Sequence, residues 1–171
     1  MAVGRTSAGW IALAIGVAVA TACGPSAPSA HERFDAPGVD VEIHLERSDS
    51  ATTVVATFQP LRAGLRLYGR DLPMDGNAGS GRPTRVDVVD AGWRAVGPPQ
   101  TSVVAEDVTV SGFDEKFPVF PDGPVTLRQA VEAIGDLDDG RIDIAITFMA
   151  CTAVGACLPP VERHAMSLPT G

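Results

Sequence analysis

The feature that most constrains this chain is a strict two-residue alternation of apolar and polar side chains. Val39, Val41, Ile43 and Leu45 alternate with Asp40, Glu42, His44 and Glu46. Successive side chains of an extended strand point to opposite faces, so this spacing describes a strand with one buried and one wet face. His44 lies on the polar face and reads as a solvated residue rather than a ligand. Ser48-Asp49-Ser50 supplies a turn, and Thr52 to Phe58 resumes the strand. The pair predicts an antiparallel hairpin. Ile142, Ile144, Ile146 and Phe148 repeat the alternation with Asp143, Ala145, Thr147 and Met149. Leu65–Tyr68, Thr84–Val89, Val103-Val104, Val108–Val110 and His164–Leu168 read as shorter strands, with Trp93 just beyond a turn at Ala91-Gly92. Val125 to Ile134 reads two ways. Leu127, Val131 and Ile134 have helical spacing, and Ala130 and Ala133 favour a helix; Val125, Leu127, Gln129 and Val131 fit a strand. Roughly seven to nine short strands with turn signals about every ten residues, and no β-α alternation, predict an all-β fold, a β-sandwich of immunoglobulin type.

The first residues belong to targeting. Arg5 gives a positive start, Trp10 to Ala20 is apolar, and Ala20-Thr21-Ala22 is a small-residue cleavage site. That is the pattern of an export signal, and the apolar run falls short of the about 20 residues a spanning helix needs. Ala20-Thr21-Ala22-Cys23 resembles the lipobox of bacterial lipoproteins, which implies acylation of Cys23 as the first mature residue and a membrane held through lipid alone. Gly24 to Pro37, rich in Pro, Ser and Ala, reads as a tether. The expected organisation is a signal peptide over 1–22, a lipidated cysteine and flexible linker over 23–37, and one folded domain over 38–171.

Cleavage would remove one positive charge, Arg5, from a net charge of −8, leaving −9. An acidic surface argues against nucleic acid and against docking on anionic lipid. Asn77 to Pro83 is Gly-rich but has no lysine and no following helical pattern, so it is not a phosphate cradle. Asp136 to Gly140 reads as an acidic turn that does not complete a calcium loop. Phe113 to Pro121 carries Phe113, Phe117 and Phe120 around Asp114-Glu115-Lys116, with prolines that oppose central-strand pairing. Its rings read equally as a lid or as part of the core edge.

Cys151 and Cys157 are the remaining cysteines, separated by Thr152-Ala153-Val154-Gly155-Ala156 and followed by Leu158-Pro159-Pro160. In an oxidising compartment such a pair forms a bridge. A domain of about 135 residues can bury its own core without a staple, and closing so short a loop stabilises by only roughly 2–2.5 kcal/mol on the chain-entropy estimate. The small residues leave room for another chain, and the prolines remove two ladder donors. The residues by themselves leave open a redox pair, a structural bridge and a metal site of Cys151, Cys157 and His164. No Cys/His arrangement marks a hydrolase nucleophile.

Phe148-Met149-Ala150-Cys151 and Cys157-Leu158-Pro159-Pro160, five residues apart, resemble the signature of the N-terminal periplasmic domain of the thiol:disulfide interchange protein DsbD. Gly64-Leu65-Arg66-Leu67-Tyr68 and Phe113-Asp114-Glu115-Lys116-Phe117 are similar to two further segments of that family, its site strand and its cap loop. The resemblance implies an immunoglobulin-like sandwich that exchanges electrons through the cysteine pair and needs no cofactor and no metal. It implies that Cys157 forms mixed disulfides and that Cys151 resolves them. Tyr68 would line the site, Asp114 and Glu115 would lie near the sulfurs, and Phe113 or Phe117 would cap them. The implied partners are a membrane-embedded thiol reductant of the CcdA or DsbD type and thioredoxin-like or other oxidised extracytoplasmic proteins. The alternative from another class is a non-catalytic binding domain with a structural disulfide.

Overall fold

The structure is a computed structural model that describes residues 1, 31–110, 112–134 and 140–171. The expected signal peptide, Cys23 and most of the acidic turn at Asp136–Gly140 lie outside the described residues. Thirteen strands are formed among the described residues: β1 (Glu32–Ala36), β2 (Val39–Ser48), β3 (Ala51–Pro60), β4 (Leu65–Leu67), β5 (Arg85–Val88), β6 (Trp93–Ala95), β7 (Gln100–Thr101), β8 (Glu106–Thr109), β9 (Lys116–Val119), β10 (Val125–Ala133), β11 (Arg141–Phe148), β12 (Ala150–Thr152) and β13 (Val161–Pro169).

The larger sheet has the order β1-β2-β3-β10-β6, with β7 also pairing with β10; the smaller has the order β13-β11-β5. All pairings are antiparallel. Lettered in chain order, β2, β3, β10 and β6 occupy the A, B, E and D positions of an immunoglobulin sandwich, and β5, β11 and β13 occupy C, F and G. The expected fold class is therefore present in the strand connections themselves.

Alternation explains which face goes inward. Val39, Val41 and Ile43 of β2 and Val54, Ala56 and Phe58 of β3 are buried, as are Ile142, Ile144 and Ile146 of β11. Phe58 meets Phe148 edge-on across the sheets at 5.4 Å, a favoured ring geometry. At one margin Phe34 of β1 stacks on His164 of β13 with centroids 3.9 Å apart. His164 is committed there.

Three readings change, and one that was open is decided. Residues 32–36 are not tether but strand β1, paired with β2 from Glu32↔Ile43 to Ala36↔Val39, because Phe34 and Ala36 have sandwich surface to cover. Val125–Ala133 is a strand, paired with β3 on one side and β6 and β7 on the other. Its helix-favouring alanines yield because a strand puts Val125, Leu127, Gln129 and Val131 all on the buried face. Val103-Val104 is not a strand; pairing falls instead on Gln100–Thr101. His44 is half-buried rather than free in solvent, with its ring 4.6 Å from that of His31 and its Nε2 3.5 Å from Glu46 Oε1.

The strands outside the sandwich are what position the site. β4 lies in the B–C connection, β8 and β9 in the D–E connection and β12 in the F–G connection. They converge on one another, as the pairings below show.

Candidate functional site

β4 and the residues just after it form a rail with a hairpin on each side. On one side β12 pairs with β4 in the register Ala150↔Leu67, Cys151↔Arg66 and Thr152↔Leu65. On the other, Phe120 N–H donates to Leu67 O at 2.8 Å, Gly69 N–H donates to Pro118 O at 2.7 Å, and Tyr68 bridges to Val119. Gly69 permits this approach: a Cβ there would lie 2.9 Å from Pro118 Cβ and 3.3 Å from Pro118 O.

The cysteines sit in a tight hairpin. Gly155 N–H donates to Thr152 O at 3.0 Å, and Thr152 N–H donates to Ala156 O at 2.8 Å. Gly155 has φ of 84°. A turn ending in a left-handed glycine is a favoured three-residue hairpin connection, and glycine takes that φ without steric cost. Leu158 N–H donates to Ala150 O at 2.9 Å. Cys151 and Cys157 face each other between these bonds, with Cα atoms 4.0 Å apart and a disulfide between them.

The two sulfurs have different surroundings. Cys151 is buried at 8% exposure, while Cys157 and the turn from Ala153 to Ala156 are exposed. Val154 at the tip is 91% exposed. Cys151 shares a small buried cluster with Tyr68, Leu72 and Phe117. A disulfide sulfur carries no proton, so the Tyr68 hydroxyl is the donor in its 3.4 Å contact with Cys151 Sγ. Burial pushes the Tyr68 hydroxyl pKa above its ordinary value, so it stays a neutral donor. Its main-chain carbonyl accepts the buried Thr84 hydroxyl at 2.7 Å, which fixes the strand beneath the ring.

The β8–β9 hairpin covers this cluster. Phe117 is fully buried, 5.6 Å from the Tyr68 ring and 5.1 Å from the Phe113 ring, the latter edge-on. Phe120 enters the main core instead. The aromatic segment thus puts one ring in the core and two against the cysteine cluster. Pro118 is accommodated because β9 pairs through its own hairpin rather than inside a broad sheet. Asp114 and Glu115 are exposed in the connection between β8 and β9. A cavity of about 70 Å³ lies between the hairpins, bordered by Arg66, Tyr68, Val108, Thr109, Val110 and Cys151 among others.

The site therefore brings Cys151, Cys157, Tyr68, Phe113 and Phe117 together. Sequence reasoning missed Arg66, Leu72 and Val108–Val110. Arg66 carried a usable signal, since it lies two residues before Tyr68 and so shares its strand face. Leu72 and Val108–Val110 carried none, because they arrive through other loops. Among the described residues no group of three His, Cys, Asp or Glu side chains is placed to hold a metal ion.

Fold and site together define an all-β domain of immunoglobulin topology with a disulfide in one end loop, one sulfur buried and the other exposed. The chain is similar in structure to the DsbD n-terminal domain of Neisseria meningitidis, crystallised in the reduced form, with 19% identity, coverage of 77% of this chain and 85% of that one, and a TM-score of 0.47. No family model and no curated protein matches the chain.

Proposed function

We propose that this protein is an extracytoplasmic thiol–disulfide exchange module, anchored through Cys23, that passes electrons through Cys151 and Cys157. The observation that carries the reading is the asymmetry of the pair: Cys157 is exposed and Cys151 is buried beside a hydroxyl donor. Exchange requires a thiolate to reach one sulfur while the other leaves. An incoming partner thiolate attacks Cys157 Sγ, the Cys151–Cys157 bond breaks, and Cys151 leaves as a thiolate. A second partner thiol then attacks the partner's own sulfur in the mixed disulfide. That step releases Cys157 as a thiolate and oxidises the partner to its disulfide. In the reverse direction Cys157 thiolate attacks an oxidised partner, and Cys151 attacks Cys157 Sγ to release it reduced. Two electrons move with the sulfur pair, and no cofactor enters. The export signal and the cysteine motif's resemblance favour a membrane reductant of the CcdA or DsbD type as donor and thioredoxin-like or other oxidised extracytoplasmic proteins as acceptors.

Two measurements test this. The Cys151–Cys157 couple, equilibrated in thiol buffers, should have a potential between roughly −270 and −120 mV, the range of exchange proteins; a value well below about −300 mV would mark a structural bridge and transfer the assignment to a binding domain. Cys151→Ala should trap partners as mixed disulfides through Cys157. If Cys157→Ala traps them and Cys151→Ala does not, the roles are reversed.

A further inference from the structure

Resting on that exchange reading, we propose that Arg66 is a positioning residue for the sulfur chemistry: it stabilises the Cys151 thiolate that exchange generates, and Asp122 moderates its charge. Cys151 is the direct cross-strand partner of Arg66 on one side and of Cys157 on the other. Directly opposed residues share a face, with Cβ atoms about 4.5–5.5 Å apart. Arg66, Cys151 and Cys157 therefore form one row across three strands. Tyr68, two residues on from Arg66 and just past β4, is on the same face and reaches the Cys151 sulfur. Arg66 borders the same cavity as Cys151 and Tyr68.

The charges around that cavity are few. β12 and the cysteine turn contribute Cys151, Thr152, Ala153 and Gly155, and the β8–β9 hairpin contributes Val108, Thr109, Val110 and Val119, none of them charged. Arg66 supplies the charge and Tyr68 a neutral donor. Asp122 holds Arg66, with Nε 2.6 Å from Oδ1, and both groups are partly open to solvent. The hairpin's acidic residues Asp114 and Glu115 are exposed in the connection between β8 and β9 and do not border the cavity. When the disulfide opens, negative charge develops on buried Cys151 sulfur. A cation one strand away favours that charged form, and burial alone would oppose it.

The test uses the full chain with Cys23→Ser and Cys157→Ser, so that Cys151 is the single thiol, and follows thiolate absorbance at 240 nm against pH. Arg66→Gln should reduce the thiolate-to-thiol ratio at a fixed pH by about three- to tenfold, the attraction expected of a nearby opposite charge less the part Asp122 cancels. Arg66→Lys should restore most of it. Asp122→Asn should raise the ratio. Opposite movement in the two variants is the signature, because a merely structural Arg66–Asp122 tie would make both behave alike. An unchanged ratio in Arg66→Gln, or movement in the same direction in both, overturns the proposal. Should Arg66→Gln fail to fold, Asp122→Asn decides it, since that side chain is exposed. The measurement needs no partner, so a negative result leaves the exchange reading to its own potential and trapping tests.

Discussion

Phe117→Ala tests whether the β8–β9 hairpin is held over the cysteines mainly by one ring. Phe117 is fully buried. Burying a phenylalanine side chain is worth about 1.5–3 kcal/mol. Its contacts with Tyr68 and Phe113 are of the kind that add about 0.5–1.5 kcal/mol for a favourable pair. A loss of about 3 kcal/mol is a central expectation, in the range measured for large-to-small changes. The hairpin is also attached by the Gly69–Pro118 and Phe120–Leu67 backbone bonds and by the bond from Asn77 Nδ2 to Lys116 O, each worth about 1 kcal/mol net, and by partly buried Val110 and Val119. The loss should therefore fall on local opening of the hairpin rather than on the sandwich. A change of about 3 kcal/mol raises the open population by roughly 150-fold. Native-state hydrogen exchange should show the Gly69 and Phe120 amides exchanging faster by about that factor, with the amides of β2, β3 and β11 much less affected. Phe148→Ala is the control, because Phe148 belongs to the main core and packs on Phe58; it should accelerate all of these amides together. If Phe117→Ala lowers the protection of β3 and β11 as much as that of Gly69, the hairpin is not a separate cooperative unit and the reasoning fails.

Tyr68 is the single tyrosine, so absorbance at 295 nm reads its titration without interference. Its midpoint in the folded protein should lie above 10.0 because burial disfavours the phenolate. The raised value means that folding favours the protonated ring, so its contribution to stability is intact below the ordinary tyrosine range and lost as pH rises through the raised folded midpoint; a normal midpoint in the folded state would refute the burial. Gly155→Ala should cost about 1–2 kcal/mol through the left-handed φ alone, because a Cβ there meets open space; an unchanged denaturation midpoint would show that the turn adopts another conformation. The Glu46 carboxyl is held below its usual range first by its hydrogen bonds from Arg128, and both side chains are partly exposed. Arg128→Gln should cost about 0.5 kcal/mol at neutral pH. For a depressed carboxyl the stabilisation is present above the unfolded carboxyl range and disappears as pH falls through the folded one, so the deficit of the variant should vanish in acid; a deficit that persists at pH 2 would assign the loss to packing.

Sequence and tertiary structure divided this protein by the range of the interactions. Alternation along β2, β3 and β11 was legible because each residue's face depends only on its neighbours in the chain. The cysteine hairpin was legible for the same reason: spacing, a glycine in the turn and the terminal prolines are all local. Val125–Ala133 was not, since its helical and strand patterns coexist and only pairing with β3 and β6 chooses between them. Nor was β1, whose five residues have no strand identity until β2 offers an edge. The asymmetry of the sulfurs belongs wholly to tertiary structure. Local pattern does not distinguish Cys151 from Cys157, whose different roles were only implied by the family resemblance; burial separates them because the β8–β9 hairpin, from a different loop of the sandwich, brings Phe117 into the cluster of one and leaves the other in solvent. The sequence by itself determined that the chain forms paired strands with a small cysteine turn; which sulfur is reachable, and which charge stands beside the buried one, was decided where three distant loops meet.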